Sequence, residues 1–217
     1  MKKLTMLLII PIVLFMVLPV GAQNRIGIVG GLNFANVNSD DLEEALSAET
    51  GADVSLANSL GFGFGGVLGI VLSENAALHL QPMYIQKGAK IEVKIAGFSE
   101  DVKFKLAYLE VPVMLKLTFG TSEAKPYVMA GPTIGYLLSA KVTNGDEEDI
   151  KDTVKDFDFG LGFGAGVSFP AGNNMVFVEG RYALGLTNVD DDPDDPIDAK
   201  TKGIQIFAGI TFPLGGQ

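Results

Sequence analysis

The amino-acid sequence predicts an all-β fold: an eight-stranded antiparallel up-and-down transmembrane β-barrel, preceded by a cleavable signal peptide. Three observations lead to this fold class. Apolar residues alternate with polar or small residues along eight segments, the connections between these segments are alternately short and long, and charged residues are absent from one side of the alternation. Such strands would face lipid on one side and a closed interior on the other.

Composition excludes several function classes. The 217 residues include no Cys and one His, so disulfide frameworks, Cys-based metal sites and multi-His metal sites are excluded. The formal net charge of -10 makes nucleic acid an improbable partner. A content of 47% hydrophobic residues together with 27 glycines is unusual for a water-soluble domain. We expect neither a cofactor nor an enzymatic activity.

Residues 1–22 have the features of a secretory signal peptide. Lys2 and Lys3 form a positive start, an apolar stretch follows over residues 6–20, and small residues precede Gln23. The stretch is too short to span a membrane comfortably, and no cysteine follows it that could carry a lipid anchor. The sequence therefore predicts a signal peptide over 1–22 and one barrel domain over 23–217.

Eight segments of the remaining chain alternate with a period of two residues, which is typical of strands. Their main apolar positions are Ile26, Ile28, Leu32 and Phe34; Leu60, Phe62, Phe64, Leu68, Ile70 and Leu72; Leu78, Leu80 and Tyr84; Leu109, Val111, Val113, Leu115 and Leu117; Val128, Ile134, Tyr136 and Leu138; Phe157, Phe159, Leu161, Phe163, Val167 and Phe169; Val176, Val178, Tyr182, Leu184 and Leu186; and Ile204, Ile206, Ile210, Phe212 and Leu214.

The connections alternate in length. The short ones are residues 73–76, 120–124 and 170–174, and the long ones are 36–58, 142–156 and 187–202, with a further hairpin predicted around 96–98. Short turns on one side and long loops on the other are typical of a bacterial outer-membrane barrel whose termini lie on the periplasmic, short-turn side.

Charge and glycine indicate which face meets lipid. Polar residues occupy the parity opposite to the apolar one: His79, Gln81, Glu110, Lys116, Asp158, Glu179, Arg181 and Gln205. Glycines share that parity: Gly61, Gly63, Gly65, Gly69, Gly160, Gly162, Gly164 and Gly166. A soluble barrel would turn its apolar parity inward, whereas glycines inside a narrow barrel make room for long side chains. We therefore expect a polar lumen and a lipid-facing apolar surface.

Aromatic residues near the short turns predict a girdle at the periplasmic interface. The members of this predicted girdle are Phe119, Tyr127, Phe169, Phe177 and Phe212.

Polar lumen residues form the candidate site. Opposed strand directions predict that Glu110 faces Arg181 and that Lys116 faces Glu179, in an ion-pair network that closes the lumen. Asp158 and His79 share the lumen parity. His79 lacks a convincing Ser partner in sequence, so a structural histidine is favoured over a catalytic base.

Two further motifs are weak. Residues 61–66 match G-x-G-x-x-G but lie within a strand, which argues against a phosphate-binding loop. Asp190, Asp192, Asp194 and Asp195 lie in an acidic loop, yet Asp195 stands where a calcium-binding EF-hand needs glycine. Weak divalent-cation binding there is one hypothesis, and a solvated acidic loop is the alternative.

Several segments resemble the PorT-like outer-membrane β-barrel proteins, also called a porin family. These segments are Leu80-Gln81-Pro82, Gln86-Lys87-Gly88-Ala89-Lys90, Tyr108-Leu109-Glu110-Val111-Pro112-Val113, Lys125-Pro126-Tyr127-Val128, Ala130-Gly131-Pro132 and Arg181-Tyr182-Ala183-Leu184-Gly185-Leu186. The resemblance implies an eight-stranded outer-membrane barrel and little about activity. The last strand also resembles the signal read by the barrel-assembly machinery at Gly209, Phe212 and Leu214, although Phe207 replaces the usual polar residue.

The expected function is that of a small outer-membrane protein of structural or surface-interaction type with acidic extracellular loops. A narrow porin-like channel, a lipid-modifying enzyme and an accessory of an outer-membrane secretion system are the alternatives. Expected partners are outer-membrane lipid and lipopolysaccharide, the barrel-assembly machinery during insertion, and an unidentified extracellular or envelope protein.

Overall fold

The fold is a ring of antiparallel strands, seen in a computed structural model that describes residues 24–38, 53–95, 98–120, 123–144, 146–189 and 199–215. The strands are β1 (Arg25–Asn38), β2 (Asp53–Val71), β3 (Ala76–Leu80), β4 (Met83–Ile95), β5 (Phe98–Thr118), β6 (Lys125–Asn144), β7 (Asp146–Asp149), β8 (Phe157–Ala171), β9 (Asn174–Gly185) and β10 (Lys200–Pro213). A short 3-10 helix spans Lys151–Thr153. Within these ranges, helices fall short of the length and apolarity needed to cross a membrane.

Pairing of β1 with both β2 and β10 closes the ring. β3 and β4 together form one barrel strand, because β3 pairs with β2 and β5 and β4 pairs with the same two neighbours. β7 pairs with β6 alone and lies outside the ring. The prediction of an eight-stranded antiparallel barrel is confirmed.

A proline interrupts the strand formed by β3 and β4. Pro82 cannot donate a backbone hydrogen bond, yet its carbonyl accepts one from Gly66 at 2.9 Å. The backbone N–H of Gln81 donates to the carbonyl of Pro112 at 3.1 Å. The two neighbouring strands are thus held across the break, and the Gln81 side chain is fully buried in the lumen.

Several strands extend beyond their predicted ends. β5 has 21 residues and β6 has 20, whereas about 9–11 residues cross a membrane. β4 and β5 pair as far as Ile95 and Phe98, and the predicted long loop over 142–156 contains β7 and the 3-10 helix. Apolar alternation stops where the outer face meets water, but the hydrogen-bonded ladder continues.

Exposure confirms which parity faces outward. Ile28 and Leu60 are each 64% exposed, while the polar residues Asn33, Glu110 and Arg181 are buried. In an aqueous barrel these large apolar side chains would be turned inward. The apolar surface is therefore the lipid-facing one.

The predicted aromatic girdle needs a correction. Phe119, Phe169 and Phe212 are exposed at the short-turn end, whereas Tyr127 and Phe177 are buried in the lumen. Both buried rings occupy the parity opposite to their outward-facing neighbours, so closeness to a turn was a poorer guide than the period of two.

A second aromatic belt lies nearer the long-loop end. Its outward rings form close pairs with centroid distances of 5.4 to 6.4 Å: Phe62 with Phe64, both of these with Tyr84, Phe157 with Tyr136, and Phe157 with Phe159. Tyr136 lies opposite Leu109 of β5, and Phe119 of the first belt directly follows the last residue of β5. That stretch of tilted strand rises about 25 Å, which matches the apolar band of outer-membrane barrels.

Candidate functional site

The lumen contains two layers of charged residues. In the first layer, nearer the long-loop end, Lys87 of β4 lies between Glu110 of β5 and Asp158 of β8. The Lys87 Nζ is 2.5 Å from Glu110 Oε2 and 3.0 Å from Asp158 Oδ2. Thr201 donates a hydrogen bond to Asp158 Oδ2 at 2.9 Å, and all four residues are buried. One ammonium therefore neutralises part of the charge of two carboxylates.

The second layer is centred on Arg181 of β9. Its guanidinium donates hydrogen bonds to Glu179 and to the side-chain oxygen of Gln81. The Tyr127 hydroxyl donates to Glu179 Oε2 at 2.6 Å, and the Phe207 ring lies 4.9 Å from the Arg181 Cζ. Because charged groups need partners when removed from water, these contacts explain how the pair is tolerated inside the barrel.

The expected facing pairs are not those that the structure shows. Glu110 contacts Lys87 instead of Arg181, and Arg181 contacts Glu179. Lys116 lies with its Nζ 3.6 Å from the centre of the Tyr127 ring, and the hydroxyl of that ring, not the Lys116 ammonium, donates to Glu179. Relative heights inside a barrel depend on the stagger of every strand pair, which strand direction alone does not supply.

Lys87 is the functional candidate that sequence reasoning missed. The signal was available, because Tyr84 faces outward and a period of two places residue 87 in the lumen. His79 lies near the short-turn end, and its buried Nδ1 has no hydrogen-bond partner among the described residues. Asp190, Asp192, Asp194 and Asp195 of the acidic loop, and the signal peptide over 1–22, lie outside the described residues.

Apolar side chains fill much of the lumen, in addition to the polar side chains that were expected to close it. The largest fully buried apolar side chains include Met83, Ile85, Met114, Phe207 and Val67. They belong to one cluster that also contains Tyr108 and Tyr127. A barrel of eight strands is narrow enough for such residues to meet across its axis.

Glycines on the lumen parity make space for these side chains. A Cβ at Gly166 would lie 2.6 Å from the Tyr127 ring, and a Cβ at Gly162 would lie 3.0 Å from Met114. A Cβ at Gly164 would lie 3.0 Å from Arg181. The space was predicted to accommodate long charged side chains. It accommodates aromatic and methionine side chains too.

Cavities differ between the middle and the end of the lumen. A cavity beside Lys87 and Gln205 has a volume of about 10 Å³, close to the minimum for one water molecule. At the short-turn end a cavity of about 410 Å³ is lined by Arg25, His79 and Lys116, among other residues. The described lumen is therefore packed in its middle and open at one end.

A closed ring of antiparallel strands with an apolar exterior and a packed, ion-paired interior defines a transmembrane β-barrel of the outer-membrane type. The family model for the outer membrane protein beta-barrel domain matches residues 21–191. The chain belongs to this family, and its location is the outer membrane.

Solved structures of outer-membrane proteins are similar in fold. Neisserial surface protein A is 17% identical, with a TM-score of 0.49 over 87% of this chain and 96% of that one. The outer membrane protein OprG from Pseudomonas aeruginosa is 13% identical, with a TM-score of 0.48 over 90% and 97%. Ail of Yersinia pestis, in complex with the heparin analogue sucrose octasulfate, is 17% identical, with a TM-score of 0.41 over 88% and 99%. No curated protein matches the sequence.

Proposed function

We propose that the chain is a non-enzymatic outer-membrane barrel of structural or surface-interaction type whose lumen does not conduct. The packed lumen carries this proposal. Lys87 with its two carboxylates and Arg181 with Glu179 occupy successive layers, and apolar side chains belong to the same buried interior. The cavity beside Lys87, of about 10 Å³, is too small for a hydrated ion, which argues against a narrow porin-like channel.

Conductance in planar bilayers tests the closed lumen. We expect insertion of the refolded protein to add no regular current steps. The Lys87→Met/Glu110→Gln double variant serves as a probe of the lumen, because it removes both ion pairs of Lys87 and leaves Asp158 with its hydrogen bond from Thr201. Regular steps from the native protein whose size changes in this variant would overturn the proposal in favour of a channel.

The surface-interaction part of the proposal rests on the long-loop end, which faces the cell exterior in outer-membrane barrels. All four residues of β7, Asp146–Asp149, are exposed carboxylates. Lys141 donates a hydrogen bond to Glu147 at 2.9 Å, which lowers the pKa of the Glu147 carboxyl below its ordinary value and keeps it ionised. Such a rim favours cationic partners, or divalent ions that bridge it to lipopolysaccharide.

Binding of polylysine to the barrel in nanodiscs tests the rim. We expect the variant Asp146→Asn/Glu147→Gln/Glu148→Gln/Asp149→Asn to bind at least about twofold more weakly at low salt, since long-range attraction scales with charge. A matched control, Glu74→Gln/Glu123→Gln, removes exposed carboxylates elsewhere and should leave the affinity unchanged. Equal affinities of the two variants would refute an acidic interaction rim.

Three further parts of this proposal depend on sequence. We propose membership of the PorT-like branch on the motifs that resemble it, cleavage of a signal peptide after residue 22, and insertion by the barrel-assembly machinery through the last strand. Sequencing the amino terminus of the protein purified from outer membranes tests the cleavage. A mature chain that still begins at Met1 would refute it.

A further inference from the structure

We propose that the periplasmic end of the lumen is a binding site for small oxyanions of the phosphate or polycarboxylate class. The cavity of about 410 Å³ at this end lies within the usual size range of small-molecule sites. Arg25 of β1, His79 of β3, Lys116 of β5 and Lys125 of β6 line it, so four separate strands bring nitrogen-bearing side chains to one space. This site is independent of the extracellular rim and of the closed lumen.

The charge of the cavity is predominantly positive. Arg25, Lys116 and Lys125 are cations at neutral pH, whereas Glu74 is the one carboxylate among the described residues that line the cavity. Glu74 lies in the turn between β2 and β3 and is exposed. The exposed carboxylates of β7 lie at the other end of the barrel, away from this cationic mouth.

Arg25 carries a charge that its contacts leave uncompensated. Its Nε donates to Thr211 Oγ1 at 3.1 Å, and its Nη2 donates to the carbonyls of Asn173 at 2.9 Å and Thr211 at 3.1 Å. All these acceptors are neutral, and they hold the guanidinium in place at the mouth. Within the described residues its Nη1 makes no hydrogen bond, so this nitrogen can donate to a ligand.

Lys116 is likewise without a carboxylate partner within 4 Å among the described residues. Its Nζ lies over the Tyr127 ring at 3.6 Å, and this cation–π contact compensates only part of the cost of removing an ammonium from bulk water. Glu179 attracts Lys116 from a greater distance, but it already accepts hydrogen bonds from Tyr127 and Arg181. An anion in the cavity would supply the missing partner.

The shape of the cavity favours a compact oxyanion. Val71, Met175 and Phe177 line part of the cavity, and such low-dielectric walls concentrate the field of the cations in the remaining space. The hydroxyl groups of Ser168 and Thr211 also line the cavity. Charge-assisted hydrogen bonds from Arg and Lys to several oxygens of one ligand are the strongest contacts available there.

Lipid headgroups do not fit this site, because Arg25, His79 and Lys116 lie on the lumen parity and the strands separate them from the bilayer. The ligand reaches the cavity through its periplasmic mouth. It is either a free anion or a phosphate or carboxylate group on a periplasmic chain, and both sources share the same recognition chemistry.

Calorimetric titration of the refolded chain in a zwitterionic detergent at low salt tests the site. The probes are inorganic phosphate, citrate and a polyglutamate peptide, with glycerol as a neutral control. We expect saturable binding of at least one anion with one site per chain, and weaker binding at higher salt. Phosphate or citrate binding would indicate a free anion, and binding of polyglutamate alone would indicate a tethered group.

Substitutions locate the binding. Lys116→Met keeps the aliphatic contacts and should weaken binding at least about tenfold, the effect expected when one charge-assisted hydrogen bond is lost. Lys116→Arg should retain binding. Lys105→Met removes an exposed lysine of the same strand near its other end and is the matched control, with no expected change.

If Lys116→Met fails to fold, Lys125→Gln at the exposed mouth replaces it and should also weaken binding. Lack of saturable binding to all three anions would overturn the proposal. The same conclusion follows if the Lys105 variant and the cavity variants lose affinity equally.

Discussion

Lys87 is the residue whose loss should destabilise the barrel most clearly. Its Nζ lies 2.5 Å from Glu110 Oε2 and 3.0 Å from Asp158 Oδ2, and these carboxyl side chains are only 2% and 3% exposed. Lys87→Met keeps most of the aliphatic side chain and removes the ammonium. Two buried carboxylates then face each other without a cation.

The cost follows from these distances. Both carboxylate oxygens contact the same nitrogen, so they can be no farther apart than the two contact distances combined. At about 5 Å, two unit charges repel each other by roughly 3 kcal/mol in an effective dielectric of about 20. Removal of one partner from a buried ion pair typically costs about 3–5 kcal/mol. We therefore expect Lys87→Met to lower the free energy of unfolding by about 3–5 kcal/mol.

Urea unfolding in lipid vesicles, followed by far-UV circular dichroism because the chain has no Trp, measures this change. Lys105→Met, at an exposed position of β5, is the matched control and should change the free energy by at most about 0.5 kcal/mol. Glu110→Gln added to Lys87→Met should recover most of the loss, because it removes the repulsion. The reasoning is refuted if Lys87→Met is as stable as the control, or if adding Glu110→Gln lowers the stability further.

Three other outcomes are expected. Gly166→Ala should lower the free energy of unfolding by about 1–3 kcal/mol, since its Cβ would lie 2.6 Å from the buried ring of Tyr127. Gly180→Ala, with open space around the added Cβ, should cost much less. Equal losses for the two variants in urea titrations would contradict this. Val178→Arg, in the lipid-facing apolar band, should lower the free energy of unfolding in vesicles by about 2–4 kcal/mol, whereas Val178→Leu should leave it almost unchanged. Similar values for the two variants would place this face away from lipid. The Lys141 hydrogen bond lowers the pKa of Glu147, so this ion pair stabilises the β6–β7 hairpin above the ordinary glutamate pKa, and the stabilisation is lost as the pH falls through the lowered pKa. Amide exchange in β7 should therefore accelerate in that acidic range in the native chain and not in Glu147→Gln.

Much of the barrel could be predicted from local patterns, and the arrangement of its lumen could not. Glu110, Asp158, Glu179 and Arg181 all face inward, as a period of two requires. The pairing of Glu110 with Arg181 was predicted wrongly, because partnership depends on height along the barrel axis. That height accumulates over all strand pairs and is altered where Pro82 interrupts a strand and where the pairing of β2 with β4 shifts register.

The sequence by itself determined the strand count, the lipid-facing parity, the order of short and long connections and the acidic character of the chain, because each is a property of neighbouring residues or of composition. Only the tertiary structure decided that Lys87 joins two carboxylates, that Tyr127 and Phe177 lie inside, and that Arg25 and Lys116 share a cavity. These residues belong to different strands. Closure and stagger of the ring decide which of them meet, and neither is encoded in any single strand.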